Sequence, residues 1–324
     1  MKGDIPLFDV AGLATDATSN GPLSGTSNDA LGGISTGLAG LKGPGSQNEE
    51  ERLNYLQMPK EMDTFEIPIL PEVDELAAHP ETGAVLEKLQ QQLDLVSAGK
   101  QPHARLDLDD LPSEACALLY QTLGEGEVAC LLEWGADHRQ CAGKRLRVQE
   151  TVLAGVWWLQ QVDAEQQLEK QWLEVGTIPT AMVADAFPPM TDQTFALQTL
   201  PDGLINAGPI LIELMDKAAE HARTPRTEPH VVNLSLLPFS PEDHACLNQR
   251  LGLGHVVILS RGYGNCRITA TSVTGIWRVQ YFNSTEQLIL DTLEVINVPQ
   301  VACAAQEDLE DSAERLREIH DALQ

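Results

Sequence analysis

The chain contains one sequence pattern twice: residues 114–128 read EACALLYQTLGEGEV, and residues 242–256 read EDHACLNQRLGLGHV. At an offset of 128, a glutamate, three apolar residues and both glycines coincide, namely Glu114, Leu119, Leu123, Gly124, Gly126 and Val128 with Glu242, Leu247, Leu251, Gly252, Gly254 and Val256. The pattern predicts a helix whose C-cap is the first glycine of a Gly-x-Gly pair, followed directly by a strand.

Further matches extend outward from this block in the same order, with small changes of offset. They are Thr64-Phe65 and Leu70-Pro71 with Thr194-Phe195 and Leu200-Pro201; Gly83, Val85, Leu86 and Leu89 with Gly208, Ile210, Leu211 and Leu214; Leu106 and Leu108 with Leu234 and Leu236; and Gly155, Trp157, Gln160, Leu173-Glu174-Val175 and Pro179 with Gly275, Trp277, Gln280, Leu293-Glu294-Val295 and Pro299. Since ordered blocks with loop-like gaps rarely arise by chance, we predict an internal tandem duplication.

Each copy predicts an αβα-βββ(β)-α unit, which is an α+β fold. In the first copy, strands are expected at 128–134, 146–151, 154–162 and 170–175, joined as an antiparallel meander. The leucine pairs at 106/108 and 234/236 alternate as strand residues do, and a final helix over about 308–323 carries an apolar stripe. We expect two lobes related by a pseudo-two-fold axis, with contacts between equivalent elements.

The predicted domain organisation has three parts. Residues 1–57 are rich in Gly, Ser, Asn and Thr, and we expect a disordered arm and linker there. Residues 58–190 form the first α+β repeat, and residues 191–324 form the second, with the C-terminal helix. The arm is either a passive extension or a segment that becomes ordered on a partner.

The charge balance excludes two classes of partner. The chain has 48 acidic and 21 basic side chains, for a formal net charge of −27, so phosphate backbones and anionic membrane surfaces are repelled. The sequence also has no apolar run of the roughly 18 residues that a membrane helix needs. We therefore predict a cytoplasmic protein with no nucleic-acid partner and no membrane insertion.

The sequence offers no catalytic motif and no clear metal motif. The six cysteines form no closely spaced pair, and we expect reduced, mostly buried thiols. A metal site could be assembled only across the lobes, from Cys116, His244 or Cys246. The Gly-x-Gly pairs lack the spacing of nucleotide-binding loops; the third, 262–264, is expected to be a hairpin turn. No catalytic residue and no cofactor are predicted.

Two pairs of corresponding residues bear on binding. Trp157 and Trp277 are predicted core residues, because both copies keep an aromatic residue there. Trp158 faces the other way and corresponds to Arg278; it is either an exposed partner contact or covered by a helix. The corresponding carboxylates Glu174 and Glu294, between Leu and Val on strands, are expected to face solvent.

The sequence from Gly43 onward resembles the HupH/HyaF family of hydrogenase expression and formation proteins. The resemblance rests on a set of short motifs: residues 43–47, 70–72, 123–128, 262–264 and 276–277, with Glu307, Asp308, Leu309, Asp311, Ser312, Arg315 and Leu316. Glu125 and Tyr263, within two of these motifs, join Trp158 and Arg278 as candidate partner contacts.

The resemblance implies an accessory or chaperone factor in [NiFe]-hydrogenase maturation. Its partners would be the iron-sulfur small-subunit precursor, before export of the enzyme, and other maturation factors. The absence of catalytic motifs agrees with a binding protein, although fold and motif absence alone do not assign function. Two alternatives stay open: a metal or iron-sulfur cluster carrier, and an enzyme with an unrecognised site between the lobes.

Overall fold

The computed structural model describes residues 71, 73–135, 138, 141–189, 200, 201, 203–262 and 264–322. The predicted arm at 1–57 lies outside these residues. Seven α-helices are described: α1 Val73–Ala78, α2 Pro80–Ser97, α3 Ser113–Leu123, α4 Thr180–Ala184, α5 Ala207–Arg223, α6 Pro241–Leu251 and α7 Gln306–Ala322. Ten strands are described: β1 Ala104–Asp107, β2 Val128–Glu133, β3 Arg145–Glu150, β4 Val156–Val162, β5 Leu168–Val175, β6 His230–Asn233, β7 Val256–Ser260, β8 Asn265–Ala270, β9 Ile276–Phe282 and β10 Leu288–Val295.

The ten strands form a single antiparallel sheet in the order β1-β5-β4-β3-β2-β7-β8-β9-β10-β6. The predicted meander of the first half is therefore confirmed, and the α+β class with it. The two halves meet at β2 and β7, where Cys130 lies opposite Ile258 and Val128 lies opposite Ser260. The chain thus builds a continuous sheet in which both halves use the same connectivity.

Three hydrophobic clusters stabilise the sheet. On one face, α2, α3 and α7 cover the outer strands of the first half, while α5 and α6 cover those of the second half. On the opposite face, one cluster runs across both halves and contains Trp157, Trp277, Ile258 and Met182 of α4. Trp157 and Trp277 are fully buried, so their predicted core role is confirmed.

Glycines end the two corresponding helices as the sequence predicts. Gly124 has φ 58° after α3, and Gly252 has φ 57° after α6, a backbone region that side chains with a Cβ disfavour. The backbone N–H of each glycine donates to the carbonyl four residues earlier, at Tyr120 and Asn248. The glycines of the third Gly-x-Gly pair, Gly262 and Gly264, lie in the turn between β7 and β8, as expected for a hairpin.

Two local predictions were wrong. Leu234–Leu236 is a 3-10 helix rather than a strand, because the Asn233 side chain accepts the N–H of Ser235 and turns the chain at the end of β6. Glu174 is buried rather than solvated. It accepts a hydrogen bond from the indole N–H of Trp172 at 2.9 Å and from the backbone N–H of Thr180 at 2.9 Å, at the start of α4.

The C-terminal helix α7 packs on the first half of the sheet, beside α2. Its residues Leu309 and Leu316 are buried and Ile319 is half-buried, which confirms three positions of the predicted stripe; Leu323 lies outside the described residues. Within the described part of the chain, no helix combines the length and the apolar character that crossing a bilayer would require.

Candidate interaction surface

Trp158 is completely buried in the hydrophobic cluster under α2, α3 and α7. The ring of Tyr120, on α3, packs edge-on against it with centroids 5.3 Å apart. The exposed alternative is therefore wrong for this residue: α3 lies over this face of β4, and Trp158 is inaccessible to a partner. Its role is to anchor α3 on the sheet.

Arg278 occupies the corresponding position in the second half and is held by polar partners. Its guanidinium donates to Asp291 on the neighbouring strand and, at 2.8 Å, to Oδ1 of Asn248 on α6. Asn248 corresponds to Tyr120 at the offset of 128. The second half thus replaces an aromatic pair with a hydrogen-bonded one, and the Arg278 side chain is only 18% exposed.

Glu125 is exposed at the end of α3, where it accepts a hydrogen bond from the Tyr120 hydroxyl. Burial and the neighbouring Glu125 carboxylate raise the pKa of Tyr120, so the phenol stays protonated. Two motifs of the family resemblance meet beside it. The Glu127 carbonyl accepts the N–H of Arg261, and the Glu127 carboxylate fills the space that a side chain at Gly262 would need. Tyr263 lies outside the described residues.

The structure does not bring the candidate metal ligands together. Cys116 lies in the cluster under α2, α3 and α7, whereas Cys246 lies in the cluster under α5 and α6. His244 packs beside Phe239, with ring centroids 5.1 Å apart. Burial raises the pKa of the Cys116 thiol to about 11, which disfavours the thiolate that a metal would bind. In the described part of the chain, no group of three or more His, Cys, Asp or Glu residues is arranged to hold a metal ion.

A surface that the sequence reasoning missed lies at the outer end of the second half. Four apolar side chains there are exposed: Leu236, Leu237, Leu288 and Ile289, with Leu236 79% and Ile289 60% exposed. The two segments that carry them run side by side, since the chain after β6 continues along β10 and the backbone N–H of Asp291 donates to Oγ of Ser235 at 2.8 Å. We call these four residues the edge patch.

The first half shows that the fold does not require apolar residues at two of these four positions. Ile289 corresponds to Glu169, which forms an ion pair with Lys144, and Leu237 corresponds to Asp109. Leu236 corresponds to Leu108, which is buried in the first half. A comparison of the two halves position by position could have found the patch, since Leu237 and Ile289 are apolar where the first half is charged. Exposed apolar neighbours of this kind mark interaction surfaces.

The family described as "HupH hydrogenase expression protein, C-terminal conserved region" matches residues 81–192 and 204–323. The chain is similar to hydrogenase expression/formation protein HupQ of Azotobacter chroococcum, with 54% identity over 283 residues, covering 87% of this chain and 96% of that protein.

More distant relatives match over almost the same length. Hydrogenase expression/formation protein HupH of Rhodobacter capsulatus is 43% identical over 287 residues, covering 87% of this chain and 95% of that protein. Hydrogenase-1 operon protein HyaF of Escherichia coli is 30% identical over 279 residues, covering 86% of this chain and 94% of that protein. A solved structure described as hydrogenase expression protein HupH from Thiobacillus denitrificans is 26% identical and covers 35% of this chain and 92% of that one, with a TM-score of 0.32.

Proposed function

Because the chain belongs to the HupH hydrogenase expression protein family, we propose that it is a non-catalytic accessory protein of [NiFe]-hydrogenase maturation. Its client is the iron-sulfur small-subunit precursor, bound in the cytoplasm before export and passed on with the help of other maturation factors. The observation that carries this proposal is the edge patch: Leu237 and Ile289 are exposed where the first half has Asp109 and Glu169, and Leu236 is exposed where it has the buried Leu108.

The client-binding role agrees with the charge and the sheet edge. A net charge of −27 keeps the protein soluble while an apolar surface stays available for a partly folded client. Beside the edge patch, β6 forms one end of the described sheet, with Val231 48% exposed on it. An edge strand next to an apolar surface suits an extended segment of a client, which could add its own backbone hydrogen bonds.

We also propose that the two halves are tandem copies related by a pseudo-two-fold axis, with repeat boundaries at 58–190 and 191–324. Three observations support this: the family match occurs twice, the strand order is the same from both ends of the sheet, and Cys130 pairs with its own sequence counterpart Ile258. An axis between β2 and β7 accounts for all three.

The client proposal is tested by anaerobic pull-down of the small-subunit precursor with the purified full chain. Single substitutions Leu236→Glu and Ile289→Glu are expected to lower the retained precursor about tenfold, as loss of an apolar hot spot does. Leu253→Glu is the matched control, because Leu253 is 77% exposed in the loop after α6, outside the edge patch. If the wild type retains no precursor while a known maturation chaperone does, the client is wrong. Equal retention by all four proteins would place the binding surface elsewhere.

A further inference from the structure

The amphipathic helix α7 packs against α2 on the first half of the sheet, through polar contacts and buried leucines. Nε2 of Gln90 on α2 donates to the carbonyl oxygen of Ala313 at 3.1 Å, and the Arg317 guanidinium lies 2.7 Å from Oδ1 of Asp94. Leu309 and Leu316 of α7 are buried in the same cluster as the leucines of α2. The contact face of α2 therefore runs along Gln90, Asp94 and Ser97, one helical stripe.

The corresponding face of α5 is apolar, and no other helix or strand of the described part of the chain buries it. At the offset of 125 that relates Leu86 and Leu89 to Leu211 and Leu214, the counterparts of Glu87, Gln90, Asp94 and Ser97 are Ile212, Met215, Ala219 and Ala222. Ile212 is 54% exposed, Ala219 and Ala222 are exposed, and Met215 is half-buried. Their spacing of three, four and three residues puts them on one side of the helix. We call these four residues the α5 stripe.

A pair of corresponding glycines gives independent evidence that the second half lacks the contact that α7 makes. A Cβ on Gly155 would lie 2.3 Å from Cδ2 of Leu309, because α7 packs directly against that turn. Among the described residues, a Cβ on its counterpart Gly275 would meet only the ring of His221, at 3.7 Å. Both glycines have the same backbone conformation, with φ of 78° and 81°. The turn is thus built alike in both halves, but the first one packs closely against Leu309 of α7, whereas the second lies at ordinary contact distance from His221 of α5.

The surroundings of the α5 stripe indicate the charge of its occupant. Glu213, Asp216 and Glu220 project from the adjacent outer side of α5, and Asp216 is exposed. Glu213 contacts His230 and Glu220 contacts Lys217 and Arg226, so Asp216 presents the carboxylate best placed for a partner's cation. With the net charge of −27, long-range electrostatics favour a basic partner over a second acidic copy.

We propose that the α5 stripe is a docking site for an amphipathic helix of a basic partner protein, seated as α7 is seated on α2. The partner helix presents small and branched apolar residues at spacings of three and four, with a Lys or Arg along the edge that faces Asp216. Helix-in-groove recognition of this kind uses the i, i+3, i+4 and i+7 positions. The site is separate from the edge patch and does not depend on the client proposed above.

The test uses a peptide that already has the required apolar face. It comprises residues 305–322 with lysine in place of Glu307, Glu310, Glu314 and Glu318, all of which are exposed on α7. A fluorescent label on the peptide allows binding to the full chain to be followed by anisotropy. We expect saturable binding to the wild type, at least about tenfold weaker binding to Ala219→Glu, and weaker binding of the unmodified acidic peptide.

The matched control is Ala84→Glu, which adds the same charge to an exposed position of α2. This variant should bind the lysine peptide as the wild type does. Circular dichroism verifies that both variants are folded. The proposal is overturned if the lysine peptide does not bind the wild type, or if Ala219→Glu binds it equally well. Equal affinity for the two peptides would refute a basic partner. A wild-type dimer that Ala219→Glu dissociates would assign the stripe to a second copy.

Discussion

Arg278 and Asp291 form a two-pronged ion pair on the neighbouring strands β9 and β10. Nε of Arg278 lies 2.9 Å from Oδ1 of Asp291, and Nη2 lies 2.5 Å from Oδ2. The Asp291 side chain is 5% exposed, so the pair is largely shielded from solvent. In the first half the same two positions hold Trp158 and Gln171. Corresponding positions in the two halves are thus filled by an ion pair in one and by an aromatic residue and a glutamine in the other.

Removing Asp291 deprives Arg278 of its carboxylate partner, although the guanidinium still donates to Asn248. Asp291→Ala should lower the free energy of unfolding by about 3 kcal/mol, because the Arg278 side chain, only 18% exposed, loses its counter-charge. The triple substitution Arg278→Trp, Asp291→Gln and Asn248→Tyr, which installs the residues of the first half, should be less destabilising than Asp291→Ala alone. Urea unfolding followed by circular dichroism measures both. A triple variant less stable than the single one would contradict the correspondence between the two sites.

The corresponding glycines Gly155 and Gly275 give a matched comparison, because only the first is packed against α7. Gly275→Ala should cost about 1 kcal/mol, since alanine is strained at its positive φ. Gly155→Ala should cost about 1–3 kcal/mol more, because Leu309 must also move out of the way. Limited proteolysis should cut near α7 faster in Gly155→Ala only. Equal stabilities of the two variants would mean that Leu309 is not held tightly at this turn.

The same substitution should have very different effects on stability at the corresponding leucines 108 and 236. Leu236→Glu should change the free energy of unfolding by less than about 0.5 kcal/mol, because the side chain is exposed. Leu108→Glu should lower the free energy of unfolding by more than about 3 kcal/mol, because it places a carboxylate in the hydrophobic cluster under α2, α3 and α7. Thermal unfolding and binding of a hydrophobic dye measure the effects. A large loss of stability in Leu236→Glu would show that the edge patch is part of the core.

Glu150 gives a prediction for pH dependence. Burial, with smaller contributions from Glu127 and Asp308, raises its pKa to about 7, although the N–H of Gly155 donates to its carboxylate. In the unfolded chain the pKa of a glutamate is about 4.3. The native state therefore favours the protonated acid, and this contribution to stability, full below pH ~4, is lost as the pH rises through about 7.

Glu150→Gln should remove that pH dependence. Between pH 5 and pH 8 the wild type should lose about 3 kcal/mol relative to this variant, since glutamine keeps an oxygen for Gly155 and carries no charge. Unfolding curves at several pH values measure the difference. Glu165→Gln, at an exposed turn, controls for the loss of one negative charge. If the two variants track each other across this range, Glu150 does not titrate in the predicted window.

The parts of the fold that depend on local chemistry were predictable. Glycines after α3 and α6 mark helix ends because few other residues adopt their backbone conformation. Alternation of apolar residues gave the strands of the meander, since successive side chains point to opposite faces. The same reasoning failed for Leu234–Leu236, where a side chain of Asn233 caps a turn that the leucine spacing alone cannot reveal.

The candidate surfaces show where such reasoning ends. Periodicity assigned Trp158 to a face of β4 but could not say that Tyr120 covers it, because that contact joins residues far apart in the chain. Nor could it show that Glu174 turns inward to hold Trp172 and the start of α4. The edge patch and the α5 stripe are apolar in sequence, and only the packing of neighbouring elements leaves them exposed.

The sequence by itself determined the repeated pattern, the α+β class, the helix ends and the family to which the chain belongs, because these depend on residue order and local conformational preference. Only the tertiary structure decided how the halves join through β2 and β7, and that α7 returns to pack on the first half. The reason is physical: burial depends on long-range contacts. The same leucine is core at position 108 and surface at position 236 because only the first is covered by packed neighbours.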